Sequence, residues 1–319
     1  MKCISKILIL FLVVFGGILA ITKLNSNDVA KYETSAYASG VHEVELFTDT
    51  LCVESDDTNV IDFKTNDTFH SILLFDLESK EALITEEIHE RLYPASTTKL
   101  MTLYLALKYG NLEDIVTVSS NAVKVPMDSS RAELCTGDQL SLESLLYALM
   151  LPSGNDSAVA IAEYISGNVE SFVELMNEEA NLLGATNTHF VNPHGYHNED
   201  HYTTAYDLYL MLNACMEHDV FLDIVTSSVY ETRIVQKNGT YRNAKWIQSN
   251  YYLNQRTEKP SNIALLGGKT GTTSAAGACI TLYVEDKDGH PYIAIMMGSD
   301  SKPQLYKNMT NLLSSLQAS

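Results

Sequence analysis

Positive charge is scarce in this chain. Its 319 residues carry 21 Lys and Arg against 40 Asp and Glu, a formal net charge of -19. Nucleic-acid phosphates are gripped by clustered Lys and Arg, so a nucleic-acid partner is excluded, as is a polybasic membrane-surface protein. The acidity itself speaks for solubility and self-repulsion and names no function. No Cys-x-x-Cys pair occurs among Cys3, Cys52, Cys135, Cys215 and Cys279, which argues against a redox dithiol or a thiolate zinc site. Cys3 precedes the first apolar run, where a lipoprotein cysteine would follow it; the other four leave three pairings open. Internal repeats and low-complexity tracts are lacking too. What is present is apolar material, 45% of the residues, too much for intrinsic disorder and enough for a substantial core.

The uncharged apolar run at 7–21 is 15 residues long, short for a spanning helix, which needs roughly 17–25. Lys2 and Lys6 precede it and Lys23 follows. That is a charged n-region and an h-region, so residues 1–25 read as a signal peptide or a retained N-terminal anchor. Cleavage near Ala20, cleavage at Ala36-Tyr37-Ala38 and retention are all open. The protein is expected to be extracytoplasmic, secreted or held to the outer face of the cytoplasmic membrane by residues 7–21. Membrane association, where it occurs, comes from that segment.

Residues 26–68 are polar and acidic (Asp56, Asp57, Asp62, Asp67) without periodicity, and read as a solvated lead-in. At Ser71 the pattern changes. Two short strands, 71–76 and 82–84, flank a Glu78-Ser79-Lys80 turn. Apolar residues at helical spacing then predict helices over 96–109, 141–151, 157–165, 169–183 and 204–216, so that about 112–225 is a mostly helical block. Strand patterns return at 228–235, 263–270, 278–284 and 292–297, and an amphipathic helix spans about 304–316. Strands, a helical block, then strands predict an α+β fold: one sheet completed from both ends of the chain, with a helical insertion.

Three segments could carry chemistry. In Tyr93-Pro94-Ala95-Ser96-Thr97-Thr98-Lys99, Pro94 starts a helix with Ser96 in its first turn and Lys99 on the same face. A serine becomes a nucleophile when a neighbouring base takes its proton, and a lysine is such a base once desolvation or another cation lowers its pKa. Taken alone, the segment equally fits a Ser/Thr helix cap followed by a surface lysine. Leu151-Pro152-Ser153-Gly154-Asn155-Asp156 lies between two predicted helices and fits a capped turn; functionally, its hydroxyl could relay a proton and its amide hold a substrate. Gly267-Gly268-Lys269-Thr270-Gly271-Thr272 ends a predicted strand, where glycines admit a ligand backbone and Lys269, Thr270 and Thr272 suit a carboxylate. It is not a phosphate loop, because position 263, where a glycine is required, is Ile263 and no helix follows.

Together, a Ser-x-x-Lys at a helix start, a Ser-x-Asn 57 residues on and a late-strand Lys-Thr-Gly resemble the penicillin-recognising serine acyl enzymes. Within that superfamily the chain is most similar to the D-alanyl-D-alanine carboxypeptidases of the S11 peptidase family, from about 69 to 317. Leu183-Gly184-Ala185-Thr186-Asn187-Thr188, Asn192-Pro193-His194-Gly195, Thr203-Thr204-Ala205-Tyr206-Asp207-Leu208 and Ala276-Gly277-Ala278-Cys279 add to the likeness. The resemblance implies an antiparallel sheet flanked by helices with an all-helical subdomain, residues 69–319 forming the catalytic domain. It implies Ser96 as nucleophile, Lys99 as its base, Ser153 as proton relay and Asn155 as a holder of substrate and of Lys99. Lys269, Thr270, Gly271 and Thr272 would bind substrate, and the N–H groups of Ser96 and Thr272 the oxyanion. Peptidoglycan pentapeptide stems are the implied substrate and β-lactams the implied inhibitors, with neither metal nor cofactor. Two departures stand out. The chain stops at Ser319, so no C-terminal β-domain is expected. Ser301-Lys302-Pro303 also stands where relatives commonly carry an arginine, so carboxylate recognition would lean on Lys269.

Four other readings share parts of this pattern. His189, His194, His197 and His201 could make a zinc peptidase, but Pro193 and Gly195 interrupt any helix that would align them. A class A β-lactamase needs a deacylating Glu-x-x-Leu-Asn, and Glu174-Leu175-Met176-Asn177 lacks the Leu-Asn pair. A DD-endopeptidase would use the same residues. A non-catalytic penicillin-binding protein would not need complete motifs.

Overall fold

The computed structural model describes residues 51–54, 57–61, 63–65 and 67–316. The predicted export segment, both cleavage positions and the lead-in up to residue 50 lie outside the described residues.

A six-stranded antiparallel sheet organises this unit. Its strands are β1 (Thr58–Asn59), β2 (Ser71–Asp76), β3 (Glu81–Glu86), β8 (Ile263–Thr273), β9 (Gly277–Asp286) and β10 (Pro291–Ser299), in the spatial order β1-β3-β2-β10-β9-β8. The strands from the two ends of the chain meet where β2 pairs with β10, for example Leu74 opposite Ala294. Side chains of a strand alternate between faces, and here both faces are covered. Leu73, Phe75, Ile293 and Ile295 enter one core, beneath α1 (Lys99–Tyr109) and α5 (Ala205–Met216). Ile72, Leu74, Ala294 and Met296 enter the other, beneath α7 (Lys302–Ser314) with its Leu305, Met309 and Leu312. A strand buried on both faces reads as a continuous apolar run, as Ile72-Leu73-Leu74-Phe75 does.

The helical block is built on α1, which is buried along Lys99–Ala106. Its sequence there is nearly apolar all round, the mark of a helix enclosed by others. It packs against α2 (Leu142–Met150), α3 (Asn155–Ser166), α4 (Val169–Leu182) and α5. Caps set the starts: Ser141 accepts from Ser144 N, Asn168 from Ser171 N and Thr204 from Asp207 N.

Two expectations change. The block is not purely helical, and the sheet is not single. β4 (Ile115–Thr117), β5 (Gln139–Ser141), β6 (Val229–Val235) and β7 (Tyr241–Ile247) form a second antiparallel sheet in chain order, with the short α6 (Val220–Thr226) before β6. The strand expected at 228–235 therefore belongs to this sheet, pairing with β7 through Tyr230 opposite Trp246. The turn between them holds Asn238 and Gly239, the latter at φ +81°, a backbone state that glycine adopts without strain. Trp246 Nε1 donates to Ala132 O at 2.9 Å and ties the hairpin to the 128–134 loop. The lead-in expectation also fails for its described part. Cys52 is buried, its N–H donating to Tyr209 Oη at 2.8 Å, and Tyr206 Oη donates to its carbonyl at 3.1 Å. Thr58 and Asn59 add a strand to the edge of β3. Single anchoring residues, without periodicity, hold this segment. No disulfide forms among Cys52, Cys135, Cys215 and Cys279, which are all free thiols.

Candidate active site

The site begins at a single turn. Ala95–Thr98 form a 3₁₀ turn that runs into α1, so Ser96 sits in this turn and not in the α-helix itself. In a 3₁₀ turn residues i and i+3 eclipse, which places Lys99 directly over Ser96. Lys99 Nζ lies 3.1 Å from Ser96 Oγ. The turn is held tightly: Thr97 Oγ1 donates to Pro94 O at 2.7 Å and Thr98 Oγ1 to Ala95 O at 2.8 Å. Ala95 takes φ +48°, a costly state for a residue with a Cβ, and it is kept there by this network.

Lys99 is fully buried and saturated. Besides Ser96 its ammonium nitrogen reaches Asn155 Oδ1 at 2.7 Å and His194 O at 2.8 Å. Burial, then the positive charge of Lys269, holds its pKa well below the usual lysine range. Lys269 comes from β8, is likewise buried, and donates from Nζ to Thr270 O at 2.9 Å. Burial, then Lys302, lowers its pKa to about 7.

Asn155 opens α3, and its N–H donates to Ser130 O at 2.9 Å. Ser153, two residues earlier, takes φ +64°, and its hydroxyl is buried without a hydrogen-bond partner. The expected relay serine therefore makes no hydrogen bond to either lysine. A buried hydroxyl in this state is costly and uncommon.

β8 is the edge strand of the large sheet and packs against the Ser96 turn. Gly271 makes that approach possible: a Cβ there would fall 2.8 Å from both Pro94 O and Ser96 N. Gly195 does the same on the other side, where a Cβ would fall 1.7 Å from Ala95 O. Thr270 Oγ1 lies 3.5 Å from Ser249 Oγ. Thr272 is exposed, its hydroxyl donating to Gly271 O. A cleft of about 420 Å³ opens over Ser96, walled by Asn155, by Thr272 to Ala275 and by the Asp128–Ser130 loop facing Tyr196 and His197.

Several members of the site were not readable as such. Ser249 and the Asp128 loop carry no motif. The His194 carbonyl lies in the Asn-Pro-His-Gly turn, whose only signal was its family-like letters. His201 supports the Ser96 turn. Val191 N–H donates to its Nδ1 at 3.1 Å, so Nε2 carries the proton and faces Thr98 Oγ1 at 2.8 Å. The other histidines disperse: His189 Nδ1 meets Asp200 O at 2.6 Å, and His197 packs edge-on against Tyr93. Among the described residues no group of three or more His, Cys, Asp or Glu is placed to hold a metal ion. Glu174, weighed as a deacylating residue, is exposed on α4 and does not line the cleft.

The profile of the D-alanyl-D-alanine carboxypeptidases, peptidase S11, matches residues 63–301. The chain belongs to that family. Among S11 relatives, it is 30% identical to the D-alanyl-D-alanine carboxypeptidase DacF of Bacillus subtilis over 76% of its own length and 60% of that protein's. It is 34% identical to DacA of Haemophilus influenzae over 72% of its length and 57% of that protein's. It thus spans somewhat under two thirds of these S11 proteins. The crystal structure of a Streptomyces DD-transpeptidase matches with a TM-score of 0.73 at 28% identity, covering 79% of this chain and 98% of that one. Penicillin-binding protein 5 from Haemophilus influenzae matches at 0.67 and 31% identity, over 78% and 71% of the two chains. The α+β fold is that of these S11-like structures.

Proposed function

We propose that the protein is a serine-type D-Ala-D-Ala carboxypeptidase that removes the terminal D-alanine from peptidoglycan stem peptides. One observation carries the reading: a fully buried Lys99 Nζ bridging Ser96 Oγ and Asn155 Oδ1. A lysine whose proton affinity burial and a neighbouring cation hold down takes the Ser96 proton, and Ser96 Oγ adds to the carbonyl between the last two D-alanines. The N–H groups of Ser96 and Thr272 receive the oxyanion, a contribution of about 3–4 kcal/mol where one such donor has been removed. The tetrahedral intermediate then collapses. The C–N bond breaks, the proton that Lys99 took up passes through the Ser153 hydroxyl to the departing amine, and D-alanine leaves with Lys99 neutral again. Water, deprotonated by Lys99, hydrolyses the ester and frees Ser96.

The substrate lies along the open edge of β8 as an added strand, its terminal carboxylate toward Lys269, Thr270 and Ser249. Lys302 stands at the start of α7, close enough to depress Lys269, and supplies further positive charge at that end. β-Lactams acylate the same serine and leave slowly. The enzyme works outside the cytoplasm, where peptidoglycan lies, with residues 7–21 as its export signal or anchor. Among the described residues no helix is long and apolar enough to cross a membrane.

The test is intact mass after incubation with benzylpenicillin, together with D-alanine release from a D-Ala-D-Ala peptide. Wild type gains one penicilloyl adduct and releases D-alanine; Ser96→Ala does neither. An adduct on the alanine variant would sink the assignment.

A further inference from the structure

The cleft meets charge of both signs. The buried Lys99 Nζ contacts Ser96 and Asn155 of its wall, and the buried Lys269 acts electrostatically on Lys99. Asp128 is the one carboxylate among the residues that line it. Asp128 is exposed and forms no ion pair with any described residue; its oxygens receive only the Tyr196 hydroxyl, at 3.3 and 3.4 Å. The loop that carries it is pinned. Ser129 N–H and Oγ both donate to Pro126 O, at 3.1 and 2.7 Å. Ser130 O accepts from Asn155 N–H. Ala132 and Leu134 donate their N–H groups to the buried Asp156 carboxylate at 2.8 and 3.0 Å. Tyr196 follows Gly195, which is wedged on the backbone of Ala95. Asp128 and Tyr196 are therefore held by the same elements that hold Ser96 and Asn155.

Asp128, Tyr196 and Thr272–Ala275 line the same cleft as Ser96, so a peptide with its scissile carbonyl at Ser96 and its carboxylate toward Lys269 has this cleft for its upstream residues. We propose that Asp128 is a specificity residue, reading a side-chain ammonium on the residue that precedes D-Ala-D-Ala. The proposal rests on the carboxypeptidase reading above. Its ligand class is a peptidyl-D-Ala-D-Ala with a free diamino-acid side chain, and it disfavours stems whose side-chain amine is acylated. The Tyr196 hydroxyl orients the carboxylate, and an ammonium on a flexible stem replaces water at its remaining lone pairs.

The experiment compares D-alanine release from Nα-acetyl-Lys-D-Ala-D-Ala and from its Nε-acetylated form, at low and at high salt. Wild type is expected to favour the free amine by about fivefold in kcat/KM at low salt, the upper range for an exposed charge pair, and by less at high salt. Asp128→Asn brings the ratio to about one, and Asp128→Lys inverts it. Equal rates for the two peptides with wild type, or a preference that survives in Asp128→Asn, overturn the proposal alone. Release from neither peptide overturns the carboxypeptidase reading and the proposal with it.

Discussion

Gly271→Ala isolates what the close approach of β8 to the Ser96 turn is worth. Gly271 does not occupy the left-handed region, so alanine meets no backbone strain there. The obstacle is steric. The new Cβ would lie 2.8 Å from Pro94 O and Ser96 N and 3.0 Å from Ala95 Cβ, where ordinary contact begins at 3.4 Å. Two of these three neighbours are backbone atoms of a turn tied down by Thr97, Thr98 and His201, so they cannot rotate aside. The strand and the turn must separate by ~0.6 Å, the shortfall to ordinary contact. Overpacking of this kind costs about 1–3 kcal/mol of stability. Catalytic geometry tolerates about 0.5 Å, and a misplacement near 1 Å costs about a hundredfold. Because the separation moves the Thr272 N–H away from the Ser96 N–H, the acylation rate should fall by about 10- to 100-fold while the chain stays folded. Time-resolved intact mass with benzylpenicillin reads the rate, and thermal unfolding reads the stability. An alanine variant that acylates within twofold of wild type would refute the claim that this contact sets the oxyanion geometry.

Two further outcomes follow from the charges. In the proposed mechanism Lys99 accepts the Ser96 proton in its neutral form, and the charge of Lys269 helps to hold its pKa down. Lys269→Met therefore raises the Lys99 pKa, and the acid limb of the acylation-rate profile moves to higher pH; a limb that stays or moves down contradicts this coupling. Lys269 itself titrates at about 7 when folded against 10.5 ordinarily. Between those values the unfolded chain binds more protons, so the stability of wild type relative to Lys269→Met should rise as pH climbs through that window, which urea unfolding at several pH values measures. Asp156→Ala leaves the N–H groups of Ala132 and Leu134 buried without acceptors. At about 1–3 kcal/mol for each such group, a loss of about 3 kcal/mol and a melting point lower by about 6–12 °C are expected; calorimetry showing no shift would mean that water replaces the carboxylate.

Where an element is periodic, its place was readable. The predicted helices at 141–151, 169–183 and 204–216 differ from Leu142–Met150, Val169–Leu182 and Ala205–Met216 by at most one residue at each end, because their apolar spacing and their Ser141, Asn168 and Thr204 caps are local properties. The hairpin partner Tyr241–Ile247 escaped because its alternation is weak, with Tyr241 and Ile247 exposed and Ala244 and Trp246 turned inward. The segment at 51–68 escaped because its anchors are Tyr206 and Tyr209, some 150 residues away.

The candidate site divides along the same line. Ser96, Lys99, Ser153, Asn155, Lys269, Thr270, Gly271 and Thr272 are singled out by the order of three segments and the family resemblance that order carries, since each segment alone also fits a cap or a turn. Chain order also set the α+β class and the meeting of early and late strands. Only the tertiary structure decided that Lys99 is buried and bound to Asn155 Oδ1, that the Ser153 hydroxyl is left unpaired, and that Asp128 and Tyr196 close one side of the cleft. Burial and long-range contact set those properties. A lysine side chain has the same letters in water and in a core, but its proton affinity follows the dielectric and the charges that folding brings around it.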